Sequence, residues 1–149
     1  MLGTTNLTEY QRALRGISAT MQREGVTQAL KAGGNVIRAK SELKCRAVLN
    51  KHPMGNLANS IQVQDPVVGG RQAYIDVGTN VEYAAIHEFG GIIKARNAEA
   101  LVFQTLDGQW HRTKSVHIPA RPYMRPALDE PADIERAMVR ALEEVQAHA

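Results

Sequence analysis

The chain has 149 residues, of which 44% are hydrophobic and 22% charged, with a formal net charge of +3. That is one domain's worth of chain, on a scale of roughly 100–200 residues per domain, and the balance excludes wholesale disorder, a collagen-like fibre and a disulfide scaffold. The charge is unevenly spread: residues 1–51 carry nine basic and three acidic residues, residues 52–125 seven and six, and residues 126–149 two and six.

Thr8 with Gln11 fits a capping box that opens a first helix. Tyr10, Leu14, Ile17 and Met21 then recur at helical spacing, and Gly25 supplies a stop. A second helix is predicted from Val26 to Leu49, apolar through Leu30, Val36, Ile37 and Leu43 and ended by His52-Pro53. Gly33-Gly34 falls in its middle, where each glycine costs ~1 kcal/mol relative to alanine. Either the helix bends there or another segment packs closely against it. Gly55–Ser60 reads as a turn or one short helical turn.

Ile61 to Gln64 alternates as a half-buried strand does. Gly69-Gly70 connects it to a second strand, in which Ala73, Ile75 and Val77 alternate with Tyr74 and Asp76. Glu82 to Phe89 reads as a short helix stopped by Gly90-Gly91. In it Tyr83, Ile86 and Phe89 fall at three-residue spacings and are predicted to dock it on the sheet. Residues 92–118 form a predicted hairpin arm around Asp107-Gly108, a strong turn signal. Pro119 and Pro122 then force extended backbone. From Tyr123 the chain turns helical, striped by Ile134, Met138, Leu142 and Val145. Asp129, Glu130 and Asp133 sit near the start of that helix, where its dipole favours anions.

This order predicts one α+β domain. A small antiparallel sheet packs against a long N-terminal helix and a C-terminal helix, with a β-hairpin arm. Its parts are a helical stretch 1–51, a strand pair with short helix 55–91, the arm 92–118, and a proline box with the C-terminal helix 119–149.

Catalytic signatures are weak. His87-Glu88 begins like a zinc-protease helix, but the position four after His87 is Gly91, so the two-imidazole face is missing. Cys45 lies between Lys44 and Arg46, yet no base is suggested beside it. A single cysteine points to a reducing compartment, no apolar run approaches the ~20 residues of a membrane span, and the N-terminus lacks a signal-peptide layout. The expectation is a protein that is not an enzyme and needs no cofactor or metal.

Two segments carry more identity. One is Val77-Gly78-Thr79-Asn80, Tyr83-Ala84 and His87-Glu88-Phe89-Gly90. The other is Ile118-Pro119-Ala120-Arg121-Pro122-Tyr123-Met124-Arg125-Pro126-Ala127-Leu128. Together they resemble the neck and tail-completion proteins of long-tailed bacteriophages, a family also labelled minor tail component or virion morphogenesis protein. Gly55–Ile61 is similar to that family's lead-in to the sheet, and the resemblance runs from about Val26 to the C-terminus. Tyr123 stands where the family commonly has phenylalanine, and the arm is longer than in its shortest members.

The resemblance implies a non-enzymatic virion subunit, made in the host bacterial cytoplasm and placed at the head–tail joint. Copies would form a ring, a hexamer or a dodecamer. Its partners would be the head connector and the tail tube or tail terminator, with non-specific contact to passing DNA and none to membrane. A tail terminator and, more distantly, a small nucleic-acid-binding protein are the alternatives.

The candidate interface residues are Gly78, Tyr83, Glu88, Phe89, Gly90, Trp110, Ile118, Arg121, Pro122, Tyr123 and Arg125. Gly90 suits a turn with positive φ. Glu88 is either a solvated charge or the partner of Arg121 or Arg125, within a subunit or across to a neighbour. Arg121-Pro122 is expected to begin a helix, with both arginines on one side and either a local or an intersubunit role. Trp110 is either an interface anchor or core. Lys31, Arg38 and Lys40 on the basic helix either line a DNA-bearing lumen or pack against acidic neighbours.

Overall fold

The structure, a computed structural model, describes residues 19–49, 55–105 and 107–148. The Thr8 cap, most of the first apolar stripe and His52-Pro53 lie outside these residues. The elements in chain order are α1 (Ala19–Val48), α2 (Gly55–Asn59), β1 (Gln62–Val63), β2 (Val67–Gly69), β3 (Gln72–Tyr74) and β4 (Val77–Gly78). They continue with α3 (Ala84–Phe89), β5 (Gly91–Lys94), β6 (Leu101–Gln104), β7 (Trp110–Thr113), β8 (Ser115–Ile118), α4 (Arg125–Leu128) and α5 (Pro131–Ala147). The strands pair two by two: β1 with β4, β2 with β3, β5 with β8 and β6 with β7. The fold is α+β, as the order of elements predicted.

The chain divides into two compact units. The first unit comprises the chain up to Val36, Val63–Asp76 and Ala132–Ala149. Here the predicted stop at Gly25 is overturned, because α1 runs straight through it. The glycine serves close packing instead: a Cβ at Gly25 would lie 3.3 Å from Leu142 Cδ2. Gly33 and Gly34 do the same more tightly. A Cβ on Gly33 would meet Met138 Cγ at 3.0 Å, and one on Gly34 would meet Val63 Cγ1 at 2.8 Å and Ile75 Cδ1 at 3.1 Å. The predicted α5 stripe, Ile134, Met138, Leu142 and Val145, is thus the face that meets α1. The β2–β3 hairpin turns at Gly70, with φ 58°. The expected continuous strand from Ala73 to Val77 is broken after Tyr74, although Gln64 N–H still donates to Asp76 C=O across the ribbon at 2.8 Å.

The second unit comprises Ile37–Gln62 and Val77–Pro131. Its core is Cys45, Leu49, Leu57, Ala58, Ile61, Ala84 and Tyr123, edged by Val77, Val81 and Met124. Tyr123 is the largest fully buried side chain, 1% exposed. Burial pushes its phenol up to about 12 and raises the Cys45 thiol. The loops at the edge are tied by Ser60 Oγ and Thr79 Oγ1 at 2.6 Å, and Thr79 Oγ1 accepts Val81 N–H.

The C-terminal helical region departs from expectation at its start. Pro122 does not open a helix. The chain stays irregular to Met124, and α4 begins at Arg125 with Pro126 in its first turn. Proline there loses no hydrogen bond. The single last helix is two, α4 and α5, broken around Asp129-Glu130 ahead of Pro131. Asp133 alone of the three acids lies in the first turn of α5. Glu130 instead takes Lys40 Nζ at 2.6 Å and Lys44 Nζ at 3.5 Å, which hold its carboxyl below the usual range.

Candidate functional site

The two identity-bearing segments meet in the second unit. Glu88 stands on α3 and its carboxylate points at the chain just before α4. Oε2 accepts the backbone N–H of Tyr123 at 2.8 Å and of Met124 at 3.0 Å, while Oε1 accepts that of Arg125 at 2.9 Å. These are amides that a helix start leaves without intrahelical partners. A carboxylate satisfying three of them forms charge-assisted bonds, stronger than neutral ones. Within the chain, then, Glu88 is not a solvated charge, and no arginine side chain is what it holds. Its partner is the backbone at positions 123–125.

Two residues on, the segments touch again. Gly90 has φ 71°, as the turn required. A Cβ there would sit 2.7 Å from the Ala120 amide nitrogen and 3.0 Å from Ile118 C=O. On the other side, Arg121 N–H donates to His87 C=O at 2.7 Å. His87, Glu88 and Gly90 therefore clasp residues 118–125, and that clasp seats Tyr123 in the core.

The docking face of α3 is not the one predicted. Ala84 and His87 are its buried residues. Tyr83 is 39% exposed and Phe89 75%. Residues three apart share a face only loosely at 3.6 residues per turn, and the clasp turns the Ala84–His87 side inward. Tyr83 instead lies edge-on to the His87 ring, 6.0 Å between centroids. Nor do Arg121 and Arg125 share a helix face, since Arg121 precedes α4. Gly78 lies in β4 with open space at its Cα, and Pro122 is exposed.

Between the clasped segments runs the arm. Its base pairs Gly91 with Ile118 and Lys94 with Ser115. The β5 strand was not foreseen, since Ile92-Ile93 falls in the arm without alternation. The tip pairs Leu101 with Thr113 and Gln104 with Trp110, closing through Gly108 at φ 82°. The tip turn is fastened by Thr105 and Asp107, and that hydrogen bond lowers the Asp107 carboxyl. Phe103 stacks on His111 at 5.7 Å. An apolar groove of about 1080 Å³ opens beside α3, lined by Tyr83, Ile86, Ile93, Phe103, Val116 and Ile118 among others.

The arm also presents apolar groups to water. Trp110 is 70% exposed, Val102 62% and Ile92 59%. The register puts Val102 and Trp110 on one face as diagonal neighbours. Trp110 is therefore not core. On α1, Lys31 is exposed, Arg38 faces Glu42 at 3.6 Å and Lys40 holds Glu130. Among the described residues, no group of three or more His, Cys, Asp or Glu is placed to hold a metal ion, and no helix is long and apolar enough to cross a membrane.

No curated protein and no solved structure matches the chain. The family model for phage virion morphogenesis proteins matches residues 28–143, a span that takes in the α1 glycine pair, the clasp, the arm and most of α5. The chain therefore belongs to the phage virion morphogenesis family.

Proposed function

We propose that the protein is a structural subunit of the head–tail joint that acts by binding rather than by catalysis. Copies assemble into a ring, a hexamer in the simplest match to a sixfold tail tube. One side of the ring meets the tail tube or its terminator, the other meets the head connector, and DNA passes through. Membership of a virion morphogenesis family supports the assembly role.

The observation that carries the binding role is the uncovered apolar surface of the second unit. Phe89, Ile92, Val102 and Trp110 are all more than half exposed. An aromatic side chain presents ~150–250 Å², so Phe89 and Trp110 alone leave on the order of 300 Å² in water. Val102 and Trp110 adjoin on one face of the ribbon, and contiguous exposed apolar surface is often functional. Exposed tryptophan is the residue type that anchors protein interfaces.

Electron microscopy of particles made without this gene tests the reading. Full heads and finished tails that fail to join are the expected result. Overlong tails would assign the chain to tail termination, and normal particles would overturn both.

A further inference from the structure

We infer that the arm tips of successive copies pair edge to edge, β6 of one copy with β7 of the next, so that the tip ribbons join into one continuous sheet. This rests on the ring reading and deepens it by naming the contact between subunits. Thr105 N–H donates to Gln109 C=O at 2.9 Å. The two stand opposite each other when the β6–β7 register is continued towards the turn. That bond fixes which residues bond inside the ribbon, because antiparallel ladders alternate. Leu101 and Phe103 turn their backbone groups towards β7, and His111 and Thr113 turn theirs towards β6. Val102 and Gln104 therefore turn theirs outward on one edge, and Trp110 and Arg112 on the other. Among the described residues, none of these four makes a backbone–backbone hydrogen bond beyond the ribbon.

The two edges differ. β6 borders the apolar groove, which Leu101 to Thr105 line, and β7 does not. β6 reads Leu-Val-Phe-Gln and carries none of the lysines or prolines that blunt a free edge. Charge separates the edges as well. Residues 97–107 hold Glu99 and Asp107 and no base, while residues 108–115 hold Arg112 and Lys114 and no acid. A β6–β6 or β7–β7 pair sets like charges together, so the complementary contact is β6 with β7 of another copy. Inside the chain the same match is made by Arg112 with Glu99 at 3.0 Å. A β6–β7 contact between copies is head-to-tail, and a closed ring satisfies both edges of every ribbon.

Residue parity decides what this contact buries. The outward groups of Val102 and Gln104 meet those of Trp110 and Arg112 on the incoming strand, and directly paired residues share a face. Val102 of one copy and Trp110 of the next thus fall on one face as cross-strand neighbours, roughly 5–8 Å apart. In the single chain they are 62% and 70% exposed. On the other face, Leu101 and Phe103 gain His111 and Thr113 of the next copy as neighbours.

Sedimentation velocity of the full chain from about 10 μM to about 1 mM is the test. Self-association that rises with concentration is expected. Val102→Pro removes an outward amide on β6 and Arg112→Pro one on β7, and edge strands tolerate proline where the N–H faces solvent. Each should weaken self-association about tenfold, with an unchanged melting temperature showing that the fold is kept. Mixed together, the two proline variants should give a heterodimer and nothing larger, since one intact edge of each kind remains. Glu99→Lys with Asp107→Lys should also weaken association, and adding Arg112→Glu with Lys114→Glu in the same chain should restore it. If the proline variants unfold, this charge exchange decides. A monomer at every concentration overturns the inference. So does association that is indifferent to the variants, or a proline mixture that grows beyond the dimer. The head–tail reading is decided separately, by the particles made without the gene, so either result can fail while the other stands.

Discussion

The clasp and the arm are neighbours in sequence and opposites in character. The clasp turns charged and polar chemistry inward, with Glu88 on three backbone amides, Gly90 against Ala120 and Tyr123 in the core. The arm turns apolar and cationic chemistry outward, through Ile92, Val102, Trp110, Lys94 and Lys114. The segments that carry the resemblance are therefore chiefly the ones that hold the second unit together. Much of the exposed apolar surface lies between them, in the arm. Identity of sequence marks what the fold demands, and exposure marks what assembly can use.

The sharpest way to break this contrast is Gly90→Ala. The positive φ and a Cβ at 2.7 Å from a backbone nitrogen leave no relaxed solution, and the expected loss is more than about 2 kcal/mol of stability. An unchanged melting temperature would mean that the clasp is not tight. Next comes Glu88→Ala, expected to cost about 2–3 kcal/mol because it strips an ionised acceptor from three amides. Arg121→Ala and Arg125→Ala should each stay within about 0.5 kcal/mol in the same denaturant titration. Equal losses from Glu88 and the arginines would restore a side-chain ion pair as the link.

Alkaline titration probes the buried end of the clasp. Folding raises the Tyr123 phenol to about 12, above an ordinary value of ~10. Its contribution is complete below ~10 and is lost as pH rises through about 12, with a ceiling on the order of 2 kcal/mol. Tyr123→Phe should remove that part of the alkaline limb. Trp110→Ala is expected to be the smallest of these in the folding assay, within about 0.5 kcal/mol, while sedimentation or particle assembly shows the larger defect. A large folding loss there would return Trp110 to the core and erase the contrast.

Much of the backbone was legible from local signals. Asp107-Gly108 and Gly69-Gly70 placed two hairpins, and the Ile134–Val145 stripe placed α5. What failed were inferences about which neighbour a residue meets. Gly25 reads as a helix stop in sequence, and only the approach of Leu142 explains it as a contact. Arg121 lies just before the segment that Glu88 caps and Arg125 lies within it, so a side-chain pair looks natural in sequence. Its true partners are main-chain amides, which leave no mark on residue type. The Ala84–His87 face of α3 was hidden for a related reason, because alanine and histidine do not advertise burial as phenylalanine does.

The clasp has a consequence for everything strung between its two halves. Arg121 N–H is fastened to His87 C=O, and Gly90 abuts Ala120, so the arm leaves and rejoins the unit at one point. A loop whose ends are already held together can lengthen cheaply, since each doubling adds only ~0.6 kcal/mol of closure entropy. Insertion or replacement beyond Gly91–Ile118 leaves the anchorage untouched. The arm is thus an exchangeable cartridge on a fixed socket, and its reach can change without re-solving the fold.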